Sequence, residues 1–154
     1  MSPALGGAAG AAKSAALLLD THIALWLDSG DSRLRPATAR LLDELRQEGG
    51  TIYLSAVTAW EIALLVESGR IDLDVPVEAW LARFVARPGV QAVALSLAAA
   101  ARAYALHPFA HRDPGDRLLM ATAIELGCPL VTYDERITQF ARRYGSQCRL
   151  AVAN

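Results

Sequence analysis

Ala16-Leu17-Leu18-Leu19-Asp20-Thr21-His22 holds the pattern on which the fold turns. Four consecutive apolar residues are too few for a helix and do not alternate with polar ones. They suit a strand covered on both faces, as in a parallel sheet. Asp20 stands at the end of this strand, and residues 21–27 read as a helix. The same order recurs at residues 130–132, where a short apolar run is followed by Asp134 and a helix over 135–144. Residues 51–54 form another expected strand, with Ser55 as the N-cap of a helix over 56–67. Further helices are expected at 36–48, 76–86 and 96–106, and further strands at 90–95, after Pro88-Gly89, and at 148–152. Strands alternating with helices predict an α/β fold, a single domain with a central, mostly parallel sheet of four to five strands flanked by helices.

Residues 1–14, MSPALGGAAGAAKS, are low in complexity and carry no pattern that packs, so a flexible tail is expected there and the domain over 15–154. The chain has 154 residues, 53% hydrophobic and 20% charged, enough for one substantial core and too few for two ordinary domains. A net charge of −1 supplies no overall attraction to nucleic acid, although a local basic rim suffices for binding. Lys13 is the only lysine among fifteen basic residues, which removes mechanisms that need a buried catalytic or phosphate-gripping lysine. Cys128 and Cys148 make no CxxC pair and read as two buried thiols of a cytoplasmic protein. Asp20 and Asp28 interrupt the most apolar region. No run approaches the eighteen or so apolar residues of a membrane span, and no secretory signal is expected.

The stretch His111-Arg112-Asp113-Pro114-Gly115-Asp116-Arg117-Leu118-Leu119-Met120 starts a helix with a misplaced charge. Asp113 suits the N-cap and Pro114 the first helical position. At about 100° per residue, Asp116 projects into the apolar stripe of Leu119, Met120, Ala123, Ile124 and Gly127, with Arg117, Ala121 and Thr122 elsewhere. Glu61 repeats the anomaly, on a face with Val57, Leu64 and Leu65. A carboxylate aimed at a core is expensive unless paired, hydrogen-bonded or bound to metal. Taken singly, Asp20 and Asp134 are ordinary helix caps, Glu61 is a partner for an arginine, and Asp116 is a helix-dipole residue. Taken together, Asp20 and Asp134 lie where parallel strands end, the usual ligand crevice, and Glu61 and Asp116 lie in early helical turns aimed inward. Four converging carboxylates repel, and one or two divalent cations are the simplest compensation. Oxygen donors without His or Cys spacing favour Mg²⁺ or Mn²⁺.

Leu17-Leu18-Leu19-Asp20-Thr21-His22, Ser55-Ala56-Val57-Thr58-Ala59-Trp60-Glu61-Ile62-Ala63, His111 to Leu119 and Leu130-Val131-Thr132-Tyr133-Asp134 resemble, in order, the four acidic motifs of PIN-domain nucleases. The detail is closest to VapC-type toxins of bacterial toxin–antitoxin pairs. The resemblance implies a metal-dependent endoribonuclease that leaves a 5′-phosphate and a 3′-hydroxyl. Asp20, Glu61, Asp116 and Asp134 would be the catalytic and metal-binding acids, with Asp113 and Thr132 in support. It also implies a cognate antitoxin and a homodimer that buries apolar helix surface. Gly115 departs from the bulky aromatic common at its place in the third motif.

Arg112, Arg117 and Arg136 are candidates for holding the RNA backbone, with Arg142 and Arg143 behind them, against the plain alternative of a solvated helix face. Trp26 and Trp60 are expected in the core or an interface. His22, His107 and His111 lack zinc spacing and are expected in structural or rim roles. A phosphatase with an aspartyl nucleophile would want a second Asp two residues after Asp20 and a lysine, and has neither. The absence of Gly-Lys-Ser/Thr excludes a P-loop enzyme. An RNA- or antitoxin-binding module with a decayed site is the remaining alternative, and the complete set of acids counts against it.

Overall fold

The computed structural model describes residues 15–106, 108 and 113–154. Five strands make one sheet: β1 (Ala16–Leu19), β2 (Thr51–Ser55), β3 (Val90–Val93), β4 (Leu130–Val131) and β5 (Val152–Ala153). Every pairing is parallel, and the spatial order is β3-β2-β1-β4-β5. The chain thus builds outward from β1 in one direction, then returns to its other side for β4. This reversal is the topological switch point at which ligands bind in open α/β sheets.

β1 is the centre of the molecule. Successive side chains of a strand point to opposite faces, and here both faces are covered. Leu17 and Leu19 enter one core with Leu42, Ile62, Trp80 and Phe84, whereas Leu18 enters the other with Leu119, Met120, Leu130 and Ile137. The first core is covered by α1 (Thr21–Ser29), α2 (Pro36–Gln47), α3 (Ala56–Glu67) and α4 (Val77–Val85). The second packs against α6 (Pro114–Leu126) and α7 (Glu135–Cys148), and α5 (Leu97–Arg102) with a 3-10 turn (Ala103–Ala105) packs on the outer side of α6.

Several boundaries differ from expectation. β3 stops at Val93. The expected helix over 96–106 tightens into the 3-10 turn after Arg102. α7 runs on to Cys148, so the last strand is Val152–Ala153 rather than 148–152. Gly145 lets the chain fold back there, because a Cβ at this residue would stand 2.5 Å from the Leu150 carbonyl oxygen. Arg149 then closes the helix in the left-handed region at φ 63°, donating its N–H to the Gly145 carbonyl. Both thiols are free, as expected, but only Cys128 is buried, which raises it to about 11; Cys148 is half-buried.

The faces of two helices also need correcting. α6 is buried almost all round: Arg117, Ala121 and Thr122, expected off its apolar stripe, are buried along with Leu119 and Met120, because α5 covers that side. On α3 the buried residues are Val57, Thr58 and Ile62, while Leu64 is 52% exposed and Trp60, expected in a core or an interface, is 50% exposed.

α1 and α4 are joined by a polar lock. The Asp28 carboxylate accepts from Trp80 Nε1 at 2.8 Å, Arg83 Nη2 at 3.2 Å and Arg87 Nη2 at 2.5 Å. Trp80 is 1% exposed, so without Asp28 its indole N–H loses its acceptor inside the core. Asp28→Ala is expected to lower stability by about 1–3 kcal/mol in urea unfolding, and Asp28→Asn, which keeps an acceptor, by less.

Candidate active site

Five acids come from four places in the chain, and each is held by its element. Asp20 caps α1 at the end of β1 with extended backbone (φ −68°, ψ 154°), and Oδ1 accepts from the Thr21 N–H at 2.7 Å. Asp134 caps α7 after β4, and its Oδ1 accepts from the N–H groups of Arg136 and Ile137 at 2.9 and 3.0 Å. Asp113 caps α6 through Gly115 N–H at 2.9 Å and Asp116 N–H at 3.4 Å. Asp116 follows in the first turn of that helix, and Glu61 lies in the second turn of α3. All five line one open cleft of about 450 Å³.

Thr132 ties the two strand-end acids together. Its buried hydroxyl donates to Asp20 Oδ2 at 2.6 Å and accepts the Asp134 N–H at 3.0 Å. The switch point between β1 and β4 is thereby fixed by one side chain. Placing Thr132 beside the acids was within reach of sequence reasoning; its double hydrogen bond was not.

Electrostatics follow from crowding and burial. Burial raises Asp20, with the Thr132 hydroxyl and the Thr21 N–H acting against it. Glu61 is pushed up to about 7, first by burial and then by the Asp20 charge, with a hydrogen bond from the Thr21 side chain acting against them. Asp116 is pushed up to about 8, again by burial first, then by the charges of Asp113, Asp20, Asp134 and Glu61. Each acid makes the next harder to ionise. Among the described residues, the one buried side-chain oxygen without a hydrogen-bond donor is Glu61 Oε1.

Gly115 explains how Glu61 reaches this position. A Cβ at residue 115 would stand 2.6 Å from Glu61 Oε1 and 2.7 Å from its Cδ. The first turn of α6 therefore leaves a cradle for the Glu61 carboxyl, which a side chain at residue 115 would push aside. The donor set suits a hard divalent ion: carboxylate oxygens, one of them orphaned and buried. Among the described residues no three acid, His or Cys side chains are already gathered closely enough to hold an ion.

The proposed RNA contacts fare differently. Arg117 is 8% exposed, donates Nη1 to the Ala103 carbonyl at 3.1 Å and places its Cζ 5.2 Å from the Tyr104 ring centroid. It braces α6 against the 3-10 turn and is not available to a nucleic-acid backbone. Arg136 is exposed at the start of α7. Arg112, His107 and His111 lie outside the described residues. The cleft is also lined by His22, for which a structural or rim role was expected, by Trp26, expected in a core or an interface, and by Arg33 and Tyr133, which sequence reasoning passed over. Helical spacing places His22 and Trp26 one turn apart after Asp20, the one signal that could have found them.

A family profile described as PIN domain matches residues 17–143. The chain is 36% identical over 121 residues to the protein named Ribonuclease VapC22 of Mycobacterium tuberculosis, covering 79% of this chain and 88% of that one. Among solved structures, VapBC2 from Rickettsia felis bound to a DNA fragment from their promoter superposes with a TM-score of 0.62 at 16% identity, covering 90% of this chain and 98% of the other. FitAcB from Neisseria gonorrhoeae gives a TM-score of 0.54 at 23% identity, covering 90% and 96%. At those identities the structures speak for the fold, while the profile and the mycobacterial relative speak for descent. The four acids stand where the fold gathers strand ends and helix starts, and the chain belongs to the PIN-domain family, among its VapC-type members.

Proposed function

We propose that this protein is the toxin of a toxin–antitoxin pair, an endoribonuclease that hydrolyses RNA phosphodiester bonds with Mg²⁺ or Mn²⁺ held by Asp20, Glu61, Asp116 and Asp134. The observation that carries the reading is the buried, donorless Glu61 Oε1 in a cleft where Asp116 is pushed up to about 8. Such a group is costly in the bare protein and explained by a cation. When bound, the ion supplies a water of lowered pKa and stabilises the leaving oxygen. The chain's own part is geometric. Asp20 and Asp134 are held by two strand ends and by Thr132, Glu61 by its cradle at Gly115, and Asp116 by the Asp113 cap. The expected products carry a 5′-phosphate and a 3′-hydroxyl.

Purified protein incubated with structured RNA tests this. Cleavage is expected with Mg²⁺ or Mn²⁺ and not in EDTA. Cleavage that persists in EDTA and in Asp116→Asn would overturn the metal-nuclease reading, and no cleavage of any RNA would favour a binding module. Gly115→Ala is expected to turn the Glu61 carboxyl aside and to weaken Mn²⁺ binding, read by calorimetry, only modestly, because only the flexible end of Glu61 has to move.

The same reading includes a cognate antitoxin, supported by structural neighbours named as VapBC2 and FitAcB. It also includes a homodimer. Trp60, Leu95, Pro114 and Leu118 wall an apolar recess, and Leu97, 92% exposed, projects two residues from Leu95. A two-fold contact needs recess and projection on one surface, which a second copy of this chain would satisfy. Leu97→Asp is expected to give the monomer mass in light scattering. Among the described residues no helix is long and apolar enough to cross a membrane, and an RNA substrate places the proposed activity in the cytoplasm.

A further inference from the structure

We propose that His22, Trp26 and Tyr133, with the Arg33 guanidinium laid on Trp26, form a stacking wall that selects an unpaired stretch of RNA beside the carboxylates. This rests on the ribonuclease reading above and names the form of RNA the site takes.

The rings are in series. His22 and Trp26 have centroids 5.8 Å apart at 48°, and Trp26 and Tyr133 are 5.8 Å apart at 33°. Arg33 Cζ lies 5.1 Å from the Trp26 centroid, and Arg35 Cζ lies 4.2 Å from that of Tyr133. The wall is fixed before any ligand arrives. The Tyr133 hydroxyl donates to Thr38 Oγ1 at 2.6 Å and accepts the Arg35 N–H at 3.0 Å. Arg33 gives Nε and Nη2 to the two oxygens of Asp31 at 3.0 and 2.6 Å. With that fork engaged and its charge balanced, Arg33 is better suited to offer its plane to a base than its edge to a phosphate. Preorganisation of this kind lowers the entropy cost of binding.

Position and charge point the same way. His22 is two residues from Asp20, and Tyr133 adjoins Asp134, so a base carried by a nucleotide at the acids is next to the rings. His22, Trp26 and Arg33 also line a neighbouring cleft of about 990 Å³, giving the strand a continuous path. Of the arginines in that cleft, Arg83 and Arg87 are paired with Asp28, and Arg83 with Asp74 as well. Arg33 is paired with Asp31, which leaves the exposed Arg70 as the arginine of this cleft that can meet a phosphate, so most of the affinity must come from base faces. A duplex keeps its base faces stacked inside and cannot use the wall; an unpaired strand can.

The test uses the full chain carrying Asp116→Asn, which binds without cutting, and fluorescence anisotropy with a labelled single-stranded RNA and a hairpin of matching composition. Trp26→Ala is expected to weaken single-strand binding roughly tenfold or more, Trp26→Phe to restore most of it, and hairpin-stem binding to be unchanged. Removing one base from the RNA at the right position should cost the Trp26 protein as much, and cost the Trp26→Ala protein nothing further. The salt dependence should be shallow. Arg33→Ala, on an exposed side chain, repeats the loss without disturbing the core. Equal losses on strand and hairpin, additive losses with the abasic RNA, or losses seen only for antitoxin binding would overturn the wall. Trp26-dependent binding by a wild-type chain that never cuts RNA would leave the wall standing and remove the nuclease reading; cutting indifferent to Trp26 would do the reverse.

Discussion

Asp116→Asn is expected to raise the melting temperature of the metal-free protein at pH 8 and to abolish RNA cleavage. The two effects share one cause. In the folded chain Asp116 is pushed up to about 8 by burial and by four neighbouring acids, so at pH 8 much of the folded population carries an unwelcome charge. An amide of the same shape removes that charge. For a chain of this size each kcal/mol gained moves the melting temperature by about 2–4 °C. Activity goes the other way because the site loses a charged oxygen donor. The loss should exceed the roughly hundredfold upper limit for removing a residue that only supports a ligand. Calorimetry in EDTA and a cleavage assay in Mn²⁺ measure the pair. An unchanged melting temperature together with retained cleavage would remove Asp116 from the site.

Between about pH 4 and pH 8 the metal-free protein is expected to lose stability as pH rises, the reverse of most proteins rich in paired carboxylates. Glu61 stands at about 7 and Asp116 at about 8 when folded, above the ordinary values of 4.5 and 3.8 that serve for the unfolded chain. Asp20 is raised as well. In that window the folded state holds more protons than the unfolded state, and the slope of unfolding free energy with pH is negative. The contribution is whole below the unfolded values and gone above the folded ones. Asp31, lowered to about 2 by Arg33, works in the opposite sense, but only as pH falls below about 4. Saturating Mn²⁺ selects the ionised acids and should flatten or reverse the slope. Denaturant midpoints at pH 5 and pH 8, with EDTA and with Mn²⁺, read this directly. A slope unaffected by Mn²⁺ would mean that the acids do not share an ion.

Much of the fold was legible because burial on both faces leaves a mark that local pattern shows. Leu17 to Leu19, with no polar alternation, had to be a covered strand, and a covered strand ending in Asp and followed by a helix implies a crossover and a parallel partner. Caps were equally legible: Asp20, Ser55, Asp113 and Asp134 all cap helices through their side-chain oxygens. The faces of α6 and α3 were less so. Periodicity says which side of a helix is apolar but not how many neighbours it has. The alanine-rich α5 covers the side of α6 that carries Arg117, so an arginine assigned to RNA became a brace.

The sequence alone determined the strand ends and helix starts that carry Asp20, Asp116 and Asp134, because each sits in a local signal of cap, strand end or helical phase. Only the tertiary structure decided what surrounds them. The order β3-β2-β1-β4-β5 brings Asp20 and Asp134 onto one hydroxyl, and α6 comes close enough to α3 for Glu61 to occupy the space that Gly115 leaves. The return of β4 to the side of β1 puts Tyr133 against Trp26, across 107 residues of chain. Such contacts depend on distances between elements, which no window of sequence contains.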